Sequence, residues 1–257
     1  MEMNFGICEL SCIPMRAGMS HKSEMVNQVL FGEVFEIIIN RNDWVKVKLL
    51  HDQYEGWIEE ENITYIVEES ISNYTDLCVN PGSSVCLIKN NKEKVNIPIG
   101  SRIPLDSKTF NIENNSYFVE SEIGEPGVGD KRKCLTDNAN MLLNTPYLWG
   151  GRTSWGVDCS GFTQLLYRLA GVEIPRDASQ QVSMGNTLNF ISEAQPGDLA
   201  FFDNEEGNII HVGMILNTAS IIHSSKYVRI DTIDHQGIYN KTLKKYTHNL
   251  RIIKSII

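Results

Sequence analysis

The stretch Gly156-Val157-Asp158-Cys159-Ser160-Gly161-Phe162 begins a helix and decides the fold of the region around it. A run of small and polar residues ends there, and Gly171 stands where a C-terminal cap would follow. The apolar residues between them repeat at helical spacing: Phe162, Leu165, Leu166 and Leu169. The pattern therefore predicts a helix with Asp158 as its N-cap and Cys159 in its first turn.

Cys159 has the position of a nucleophile. The unpaired N–H groups and the dipole of a helix N-terminus favour negative charge, and a neighbouring imidazolium does the same. We therefore expect the pKa of this thiol to be lowered. Free intracellular cysteines are most often small buried hydrophobic residues. Cys159 is flanked by Asp158 and Ser160 rather than by apolar residues, and this favours a reactive thiolate.

The composition of the 257-residue chain is ordinary for a soluble globular protein, with 42% hydrophobic and 21% charged residues. A net charge of −9 without a basic stripe argues against a nucleic-acid partner. No apolar run approaches the ~18 residues of a membrane span. Residues 1–5 lack the features of a secretory leader, so a cytoplasmic protein is expected, with a leader trimmed before residue 1 left open.

The cysteine pattern predicts neither a metal nor a cofactor. None of the six cysteines forms a C-x-x-C pair or lies beside clustered histidines, so a structural zinc site is not expected. No organic cofactor is implied by any motif. The oligomeric state is not determined by the sequence.

Residues 1–67 have the pattern of short strands joined by polar turns. Strands are predicted over residues 31–39, 44–49 and 54–58, with turns at 40–43 and 51–53. Close-set short strands with aromatic anchors indicate a small barrel. The pattern resembles the bacterial SH3-like domain, whose strands commonly end in a signature like Gly56-Trp57-Ile58.

Residues 68–124 are interpreted as a degraded second copy of the same domain. Residues 97–105 echo the strand that enters at residues 31–34, and residues 111–119 echo the turn before Trp44. Two small barrels are therefore predicted, with a single irregular all-β domain as the alternative. Glycine and proline residues in the stretch 122–129 mark a boundary after this region.

Residues 125–257 change from helices to strands. Helices are predicted over residues 130–144, at Cys159 and after Pro175, and strands over residues 199–202, 209–216 and 221–224. Helices followed by antiparallel strands are an α+β arrangement, and this order is that of a papain-like core. The predicted fold is therefore α+β, with a papain-like catalytic core preceded by two small all-β SH3-like barrels.

Two histidines of this region fall on adjacent predicted strands. If the three-residue loop 217–219 closes their hairpin, Gly213 pairs with His223, and His211 lies two residues along on the same face. Diagonal neighbours of this kind are roughly 7–8 Å apart at the backbone, within reach of each other's side chains. We therefore assign His211 as the general base of Cys159 and His223 as the residue that orients it.

Five segments carry a resemblance to a known family. They occur in the family's order and cover most of residues 125–257: Asp158-Cys159-Ser160-Gly161-Phe162, Pro175-Arg176-Asp177-Ala178-Ser179, Gln195-Pro196-Gly197-Asp198-Leu199, His211-Val212-Gly213 and Ile222-His223. Together they resemble the NlpC-type family of papain-like cysteine peptidases. The resemblance implies cleavage of bacterial cell-wall peptides, usually at the γ-D-glutamyl bond to lysine or diaminopimelate.

Two SH3-like domains before such a core resemble the γ-D-glutamyl-L-diamino acid endopeptidases of the dipeptidyl-peptidase VI type, which release L-Ala-γ-D-Glu from freed murein peptides. In that subgroup a carboxylate and a tyrosine of the first SH3-like domain bind the free amino group of L-Ala. The best matches are Glu24 and Tyr54, and Asp158 is a further candidate for this ammonium site. Arg152 and Arg176 could offset substrate carboxylates, but solvated surface arginines are more common and are the preferred interpretation.

The resemblance also implies residues around the bond that is cleaved. Ser160 and Ser179 are candidate hydrogen-bond donors to the α-carboxylate of D-Glu. Tyr147 matches the family tyrosine upstream of the nucleophile, where its hydroxyl would lie beside the developing oxyanion. The backbone N–H of Cys159 would contribute to the same oxyanion hole.

Other functions remain open at this stage. One alternative is an endopeptidase that remodels intact peptidoglycan, and another is a non-catalytic protein that binds cell-wall peptides. An amidase or acyltransferase with the same nucleophile is a third. The presence of Cys159, His211 and His223 together argues against the non-catalytic alternative.

Overall fold

The computed structural model describes residues 4–75, 78–79, 84–104, 107–121 and 129–257. The chain divides into two compact units, Met1–Pro126 and Gly127–Ile257. The stretch in which the sequence placed a domain boundary, residues 122–129, lies outside the described residues except for Gly129. No helix among the described residues is long and apolar enough to cross a membrane.

The first unit is built mainly from short antiparallel strands. Its strands are β1 (Phe5–Ile7), β2 (Cys12–Arg16), β3 (Met25–Leu30), β4 (Val34–Arg41), β5 (Trp44–Leu49), β6 (Glu55–Glu59), β7 (Thr64–Ile66), β8 (Cys78–Val79), β9 (Ser84–Lys89), β10 (Glu93–Pro98), β11 (Arg102–Ile103), β12 (Thr109–Ile112) and β13 (Asn115–Val119). A short helix α1 (Ile71–Thr75) and the 3-10 turns Glu60–Asn62 and Glu68–Ser70 lie between them.

The seven strands β1–β7 form one sheet in the order β3-β2-β6-β5-β4-β1-β7. The alternation of β5 is strict, because Val45, Val47 and Leu49 are buried while the residues between them are partly exposed. The buried residues of this sheet form a core of their own: Cys8, Ile13, Met15, Val29, Phe35, Val45, Val47, Leu49 and Ile58. The first predicted barrel therefore has an apolar interior.

The strand predicted over residues 31–39 is wrong at its start. Strand β3 ends at Leu30, and Phe31 to Glu33 form a turn before β4. Gly32 has a φ of +77°, and a Cβ there would lie 2.2 Å from the carbonyl oxygen of Arg102. The turn therefore requires glycine, and the apolar residues on either side of it belong to different strands.

The second β region is smaller and shares its core with the first. Strands β10-β9-β13-β12 form a four-stranded sheet, and β11 pairs with β8. The two regions resemble each other in one hairpin turn. Glu113 and Asn114 join β12 to β13, and Asn42 and Asp43 join β4 to β5 in the same way. One apolar cluster contains residues of both regions: Ile7, Phe31, Val34, Ile66, Tyr74, Val85, Leu87, Ile97, Ile103, Ile112, Tyr117 and Val119.

The second unit begins with helices and continues with strands, which confirms the predicted α+β order. Its helices are α2 (Lys131–Met141), α3 (Cys159–Leu169) and α4 (Ala178–Gln181), with a 3-10 turn at Ile191–Glu193. Its strands are β14 (Arg152–Thr153), β15 (Gly156–Val157), β16 (Asn186–Leu188), β17 (Leu199–Asp203), β18 (Ile209–Asn217), β19 (Ser220–Ser225), β20 (Tyr227–Ile233), β21 (Gly237–Asn240) and β22 (Lys245–Ser255).

The large sheet of this unit closes on itself. Its order is β16-β22-β17-β18-β19-β20-β21, and β21 pairs back with β22. The apolar residues on its inner face are Ala200, Phe202, Ile215, Ile221, Ile233, Ile238 and Ile253, with Ala194 beside them. Helix α3 is buried along its whole length and packs against β18 and β19. The helix start and the strands that carry the histidines are therefore held by one packed core.

The hairpin of β18 and β19 differs from its prediction at the turn. Asn217 pairs with Ser220, so the loop has two residues rather than three, and the side chain of Asn217 accepts a hydrogen bond from the N–H of Ala219. The register shifts at Leu216, where β18 has a bulge. Met214 therefore pairs with Ile222. The next pair in this register is Gly213 with His223, as predicted.

Candidate active site

Cys159 is the first residue of α3, and its N-cap is Asp158. The Asp158 carboxylate accepts a hydrogen bond of 2.7 Å from the N–H of Gly161, as expected of an N-cap. The backbone N–H groups of Ser160 and Val212 lie near enough to the sulfur of Cys159 to favour its thiolate. Val212 directly follows His211, so these contacts place the helix start against the strand that carries the predicted base.

The expected lowering of the pKa of Cys159 is wrong for the protein without a substrate. Burial raises the pKa of this thiol to about 11, and the nearby charge of Asp158 adds to the effect. The two backbone hydrogen bonds and Arg176 act in the opposite direction but are outweighed. Cys159 is only 9% exposed, so desolvation disfavours the thiolate more than the helix terminus favours it. The resting residue is therefore a thiol that needs a base.

His211 and His223 lie on the same face of the hairpin and contact each other. The Nε2 atom of His211 is 2.8 Å from Nδ1 of His223. Gly213 permits this approach, because a Cβ at that position would lie 2.8 Å from the Cβ of His223. Burial, and then the charge of His223, hold the pKa of His211 well below its ordinary value. His211 is therefore a neutral imidazole at neutral pH and can accept a proton.

The sequence analysis missed a carboxylate that continues this chain of contacts. Asp231 on β20 lies 3.1 Å from Nε2 of His223, and Arg229 donates a 2.7 Å hydrogen bond to its other oxygen. Burial opposes ionisation of Asp231, but the hydrogen bonds from His223 and Arg229 lower its pKa. The available signal was the alternation of β20, which places Arg229 and Asp231 on one face beside His223.

The hydrogen bonds fix which ring nitrogen is basic. An ionised Asp231 only accepts, so Nε2 of His223 carries the proton directed at it. When His223 carries no second proton, its Nδ1 atom is an acceptor, and Nε2 of His211 donates to it. This leaves Nδ1 of His211 without a proton. The arrangement can therefore take the proton of a thiol at Nδ1 and stabilise the imidazolium that forms through His223 and Asp231.

Arg176 is a buried partner of the nucleophile turn, and the interpretation of Arg152 and Arg176 as surface arginines is wrong. Each is 1% exposed. The guanidinium of Arg176 donates to both carboxylate oxygens of Asp158, at 3.0 and 2.6 Å, and to the hydroxyl of Ser160 at 2.9 Å. Asp158 also accepts from the N–H of Gly150 at 2.8 Å. The buried bidentate pair therefore ties the start of α3 to the segment that precedes α4, and the bond from Gly150 ties it to the loop before α3.

Tyr147 lies beside the strand that leads into α3, and its predicted role at the oxyanion stays a prediction. Its backbone N–H bonds to the carbonyl of Lys226, and it forms a bridge with Val157. Burial raises the pKa of Tyr147 to about 12, and the charges of Cys159 and Asp158 contribute. The Tyr147 hydroxyl therefore stays protonated at neutral pH and is available as a donor.

The nine predicted site residues differ in what surrounds them. Cys159, His211, His223, Tyr147, Asp158 and Ser160 all belong to the second unit and to the contacts above. Ser179 is exposed on α4, whose inward-facing residues are Ala178 and Gln181. Glu24 is exposed and Tyr54 half-buried in the first unit, where Tyr54 packs against the core of the seven-stranded sheet. The substrate-binding roles of these three residues stay predictions.

No metal site accompanies this constellation in the part of the chain that the structure describes. Within those residues, no three His, Cys, Asp or Glu side chains are arranged to hold a metal ion.

Two known domain families match this chain, one within each unit. The NlpC/P60 family matches residues 144–250, which include every residue of the constellation. The bacterial dipeptidyl-peptidase SH3 domain matches residues 15–63. The residues matched in the first unit therefore belong to its seven-stranded sheet.

Relatives extend over most of the chain. The γ-D-glutamyl-L-lysine dipeptidyl-peptidase of Bacillus cereus is 28% identical over 82% of this chain and 70% of its own length. The protein of the same name from Bacillus subtilis is 28% identical over 89% of this chain and 82% of its own. The crystal structure of an NlpC/P60 family protein from Bacillus cereus superposes with a TM-score of 0.81 at 19% identity, over 98% of this chain and 99% of that one.

The fold, the families and the site agree on one assignment. The predicted resemblance and the predicted papain-like core after SH3-like strands are both confirmed. The chain therefore carries a cysteine peptidase domain of the NlpC/P60 family, preceded by an SH3 domain of the bacterial dipeptidyl-peptidase type.

Proposed function

We propose that this protein hydrolyses the γ-D-glutamyl-L-diamino acid bond of free murein peptides and releases L-Ala-γ-D-Glu, as a step in the recycling of cell-wall peptides. One observation carries the proposal: relatives named as γ-D-glutamyl-L-lysine dipeptidyl-peptidases align over both units, including the SH3 domain. The contacts of Cys159, His211 and His223 support a thiol mechanism for the same reaction.

In the acylation step, the sulfur of Cys159 attacks the γ-carbonyl carbon of D-Glu. The thiol proton passes to Nδ1 of His211, whose imidazolium is stabilised by His223 and Asp231. The backbone N–H of Cys159 and the hydroxyl of Tyr147 donate to the developing oxyanion. The C–N bond then breaks, the leaving amine of the diamino acid takes the proton from His211, and a thioester remains.

In the deacylation step, His211 takes a proton from a water molecule, and the resulting hydroxide attacks the thioester carbon. The carbon–sulfur bond breaks, and the proton returns from His211 to the sulfur. L-Ala-γ-D-Glu leaves with a new carboxylate. The cycle therefore consumes one water and needs no other reactant.

The decisive experiment removes the sulfur. The variant Cys159→Ala is expected to abolish release of L-Ala-γ-D-Glu from L-Ala-γ-D-Glu-L-Lys and from its diaminopimelate form, followed by mass spectrometry. The matched control is Cys134→Ala, since Cys134 is a partly buried thiol that bonds to the carbonyl of Leu169. Hydrolysis by a folded Cys159→Ala protein at the wild-type rate would reject the mechanism.

The substrate end of the proposal is tested by blocking the amino group of L-Ala. An exopeptidase that binds the free ammonium should lose most of its activity on the N-acetylated peptide. Glu24→Gln should raise KM for the free peptide but should change KM for the acetylated peptide little. Equal cleavage of intact cross-linked wall would replace this proposal by a wall-remodelling endopeptidase, and peptide binding without cleavage would replace it by a binding protein.

We propose that this reaction takes place in the cytoplasm, because peptide recycling acts on fragments that have been taken up. Fractionation of the source cells with an antibody to the protein tests the location. Recovery in the medium or the wall fraction would contradict it.

A further inference from the structure

A third imidazole lies against the predicted base, and neither the sequence pattern nor the proposed mechanism uses it. The ring of His248 on β22 stacks on the ring of His211, with centroids 4.3 Å apart and planes at 26°. The ring of His223 stands perpendicular to His248, at 5.7 Å. Phe202 also contacts this cluster, with its centroid 5.7 Å from that of His211 and 5.8 Å from that of His248.

These contacts come from irregularities in the sheet. Along β22, Ile253 pairs with Ala200 and Ile252 with Phe201, but Leu250 pairs with Phe202, so Arg251 is an extra residue. A regular strand would turn residues 251 and 249 toward the inner face. The bulge instead turns Leu250 and His248 inward, onto the face that carries Phe202 and His211.

A second irregularity lies beside His211 itself. His211 pairs with Phe202, but Ile209 pairs with Asp203, so Ile210 is the extra residue of β18. Bulges are concentrated next to active sites, where they change the direction of a side chain. Two of them flank β17 here: one adjoins His211, and the other lies three residues from His248 along β22.

We propose that His248 is a positioning residue, which holds the ring of His211 in the plane that its reaction with Cys159 requires. His223 fixes one edge of the His211 ring through a hydrogen bond, but one bond leaves the ring free to tilt about it. The stacked face of His248 removes this freedom. His248 thus acts through its contact with the base.

The charge state of His248 suits this role. The titratable groups that face it are His211 on β18, His223 on β19 and Asp231 on β20. Burial, and then the charge of His223, lower the pKa of His248 to about 4, while Asp231 acts in the opposite direction. At neutral pH the ring is therefore uncharged and can stack on the ring of His211 without charge repulsion.

The test compares two variants that differ in the stack. His248→Ala removes the ring, and His248→Phe keeps an aromatic face without a titratable group. With L-Ala-γ-D-Glu-L-Lys as substrate, His248→Ala should lower kcat roughly 10- to 100-fold with KM unchanged, because the base is no longer held in position. His248→Phe should retain most of kcat. His235→Ala, an exposed histidine in the turn after β20, is the control.

A second readout needs no peptide and is independent of the proposed substrate. Titration of the histidine rings by nitrogen-15 NMR should show the pKa of His211 rising in His248→Ala, because the ring gains solvent. The acid limb of the kcat/KM profile should move to higher pH with it. If no variant hydrolyses the peptide, the NMR shift still tests the contact, and the failure then concerns the proposed function.

Two results would overturn the assignment. One is a folded His248→Ala protein with the kcat and the His211 titration of the wild type. The other is an equal loss of kcat in the alanine and phenylalanine variants, since the stack would then not be what matters. A purely structural role would lower the melting temperature of His248→Ala without moving the titration of His211.

Discussion

Each unit of this protein contains a buried carboxylate, and the two carboxylates connect different parts of the structure. Glu9 in the first unit is 7% exposed and Asp158 in the second is 6% exposed. Glu9 accepts hydrogen bonds from Tyr117 and Asn115, which lie more than 100 residues away along the chain, and from Thr64. It therefore joins the two β regions of its unit. The bonds of Asp158 reach residues no more than 18 positions away.

The partners explain the difference. The donors to Glu9 are mostly neutral, with the ammonium of Lys89 further away at 3.5 Å. Asp158 faces the buried guanidinium of Arg176 with both oxygens. A carboxylate with neutral donors stabilises the packing of two layers, whereas a buried ion pair fixes the orientation of a short segment. Removal of either carboxylate should therefore affect different properties of the protein.

The largest effect is expected from Asp158→Asn. This variant leaves the buried charge of Arg176 without its counter-ion, and breaking a buried pair from one side costs about 3–5 kcal/mol. The start of α3 should shift, and peptidase activity should fall more than 100-fold, on the order of the loss that a 1 Å displacement produces. Chemical denaturation and peptide hydrolysis measure the two effects.

Asp137→Asn is the matched control for this change. Asp137 pairs with Lys133 on the exposed face of α2, where an ion pair contributes about 0–1 kcal/mol. An Asp158→Asn protein with the stability and activity of the Asp137→Asn control would show that the pair with Arg176 does not hold the nucleophile.

The effect of changing Asp231 should be intermediate. Asp231 is only partly buried, and it acts on His211 through His223. Asp231→Asn keeps the shape of the side chain but removes the charge that stabilises a protonated His223–His211 pair. We expect kcat to fall roughly 10- to 100-fold with KM unchanged, a loss of orientation rather than of binding. Asp203→Asn, whose ion pair with Arg251 lies at the end of β17, should retain the wild-type kcat.

The local part of the site was predictable from sequence, and the long-range part was not. The helix start at Cys159 and the register of His211 with His223 follow from spacing, and a bulge at Leu216 compensated for the error in loop length. The position of Asp231 depends on the pairing of β20 with β19, and the sequence analysis did not predict β20. His248 faces inward only because Arg251 is an extra residue of β22, and no periodicity predicts such a shift.

Burial was the second quantity that the sequence did not supply. An arginine in a Pro-Arg-Asp segment has the pattern of a surface residue, but Arg176 is enclosed by α3 and the loop before it. Glu9 is equally ordinary in sequence, because its partners are separated from it by 55 to 108 positions. The same enclosure raises the pKa of Cys159, where helix position alone predicted a decrease.

Glu9→Gln should act on stability without acting on catalysis. One carboxylate oxygen becomes an NH₂ group that faces the donors from Tyr117, Asn115 and Thr64, and an unsatisfied buried group costs about 1–3 kcal/mol. Glu120→Gln removes the exposed pair with Lys94 and is the control. A lower denaturation midpoint with unchanged kcat is the expected result, and a loss of kcat equal to that of Asp231→Asn would contradict it.

The smallest expected effect is a loss of stability at acid pH, which arises from two histidines of the second unit. The pKa values of His211 and His248 are lowered in the folded second unit, whereas an unfolded histidine titrates near ~6.5. Between these values the unfolded chain binds protons that the folded one does not. The stability is therefore complete above about pH 6.5 and is lost as the pH falls toward 4. Because the ring of His248 is only half-buried, solvent screens its share.

The expected share of His248 is a decrease in melting temperature of roughly 2–4 °C between pH 7 and pH 5, the shift that about 1 kcal/mol gives in a protein of this size. In His248→Phe this decrease should be smaller, since the ring no longer titrates, while Glu9→Gln should show the decrease of the wild type. Scanning calorimetry at the two pH values measures both. An identical decrease in the wild type, His248→Phe and Glu9→Gln would show that the acid sensitivity does not arise from the stacked imidazoles. The histidines of the second unit would then not make its stability depend on pH.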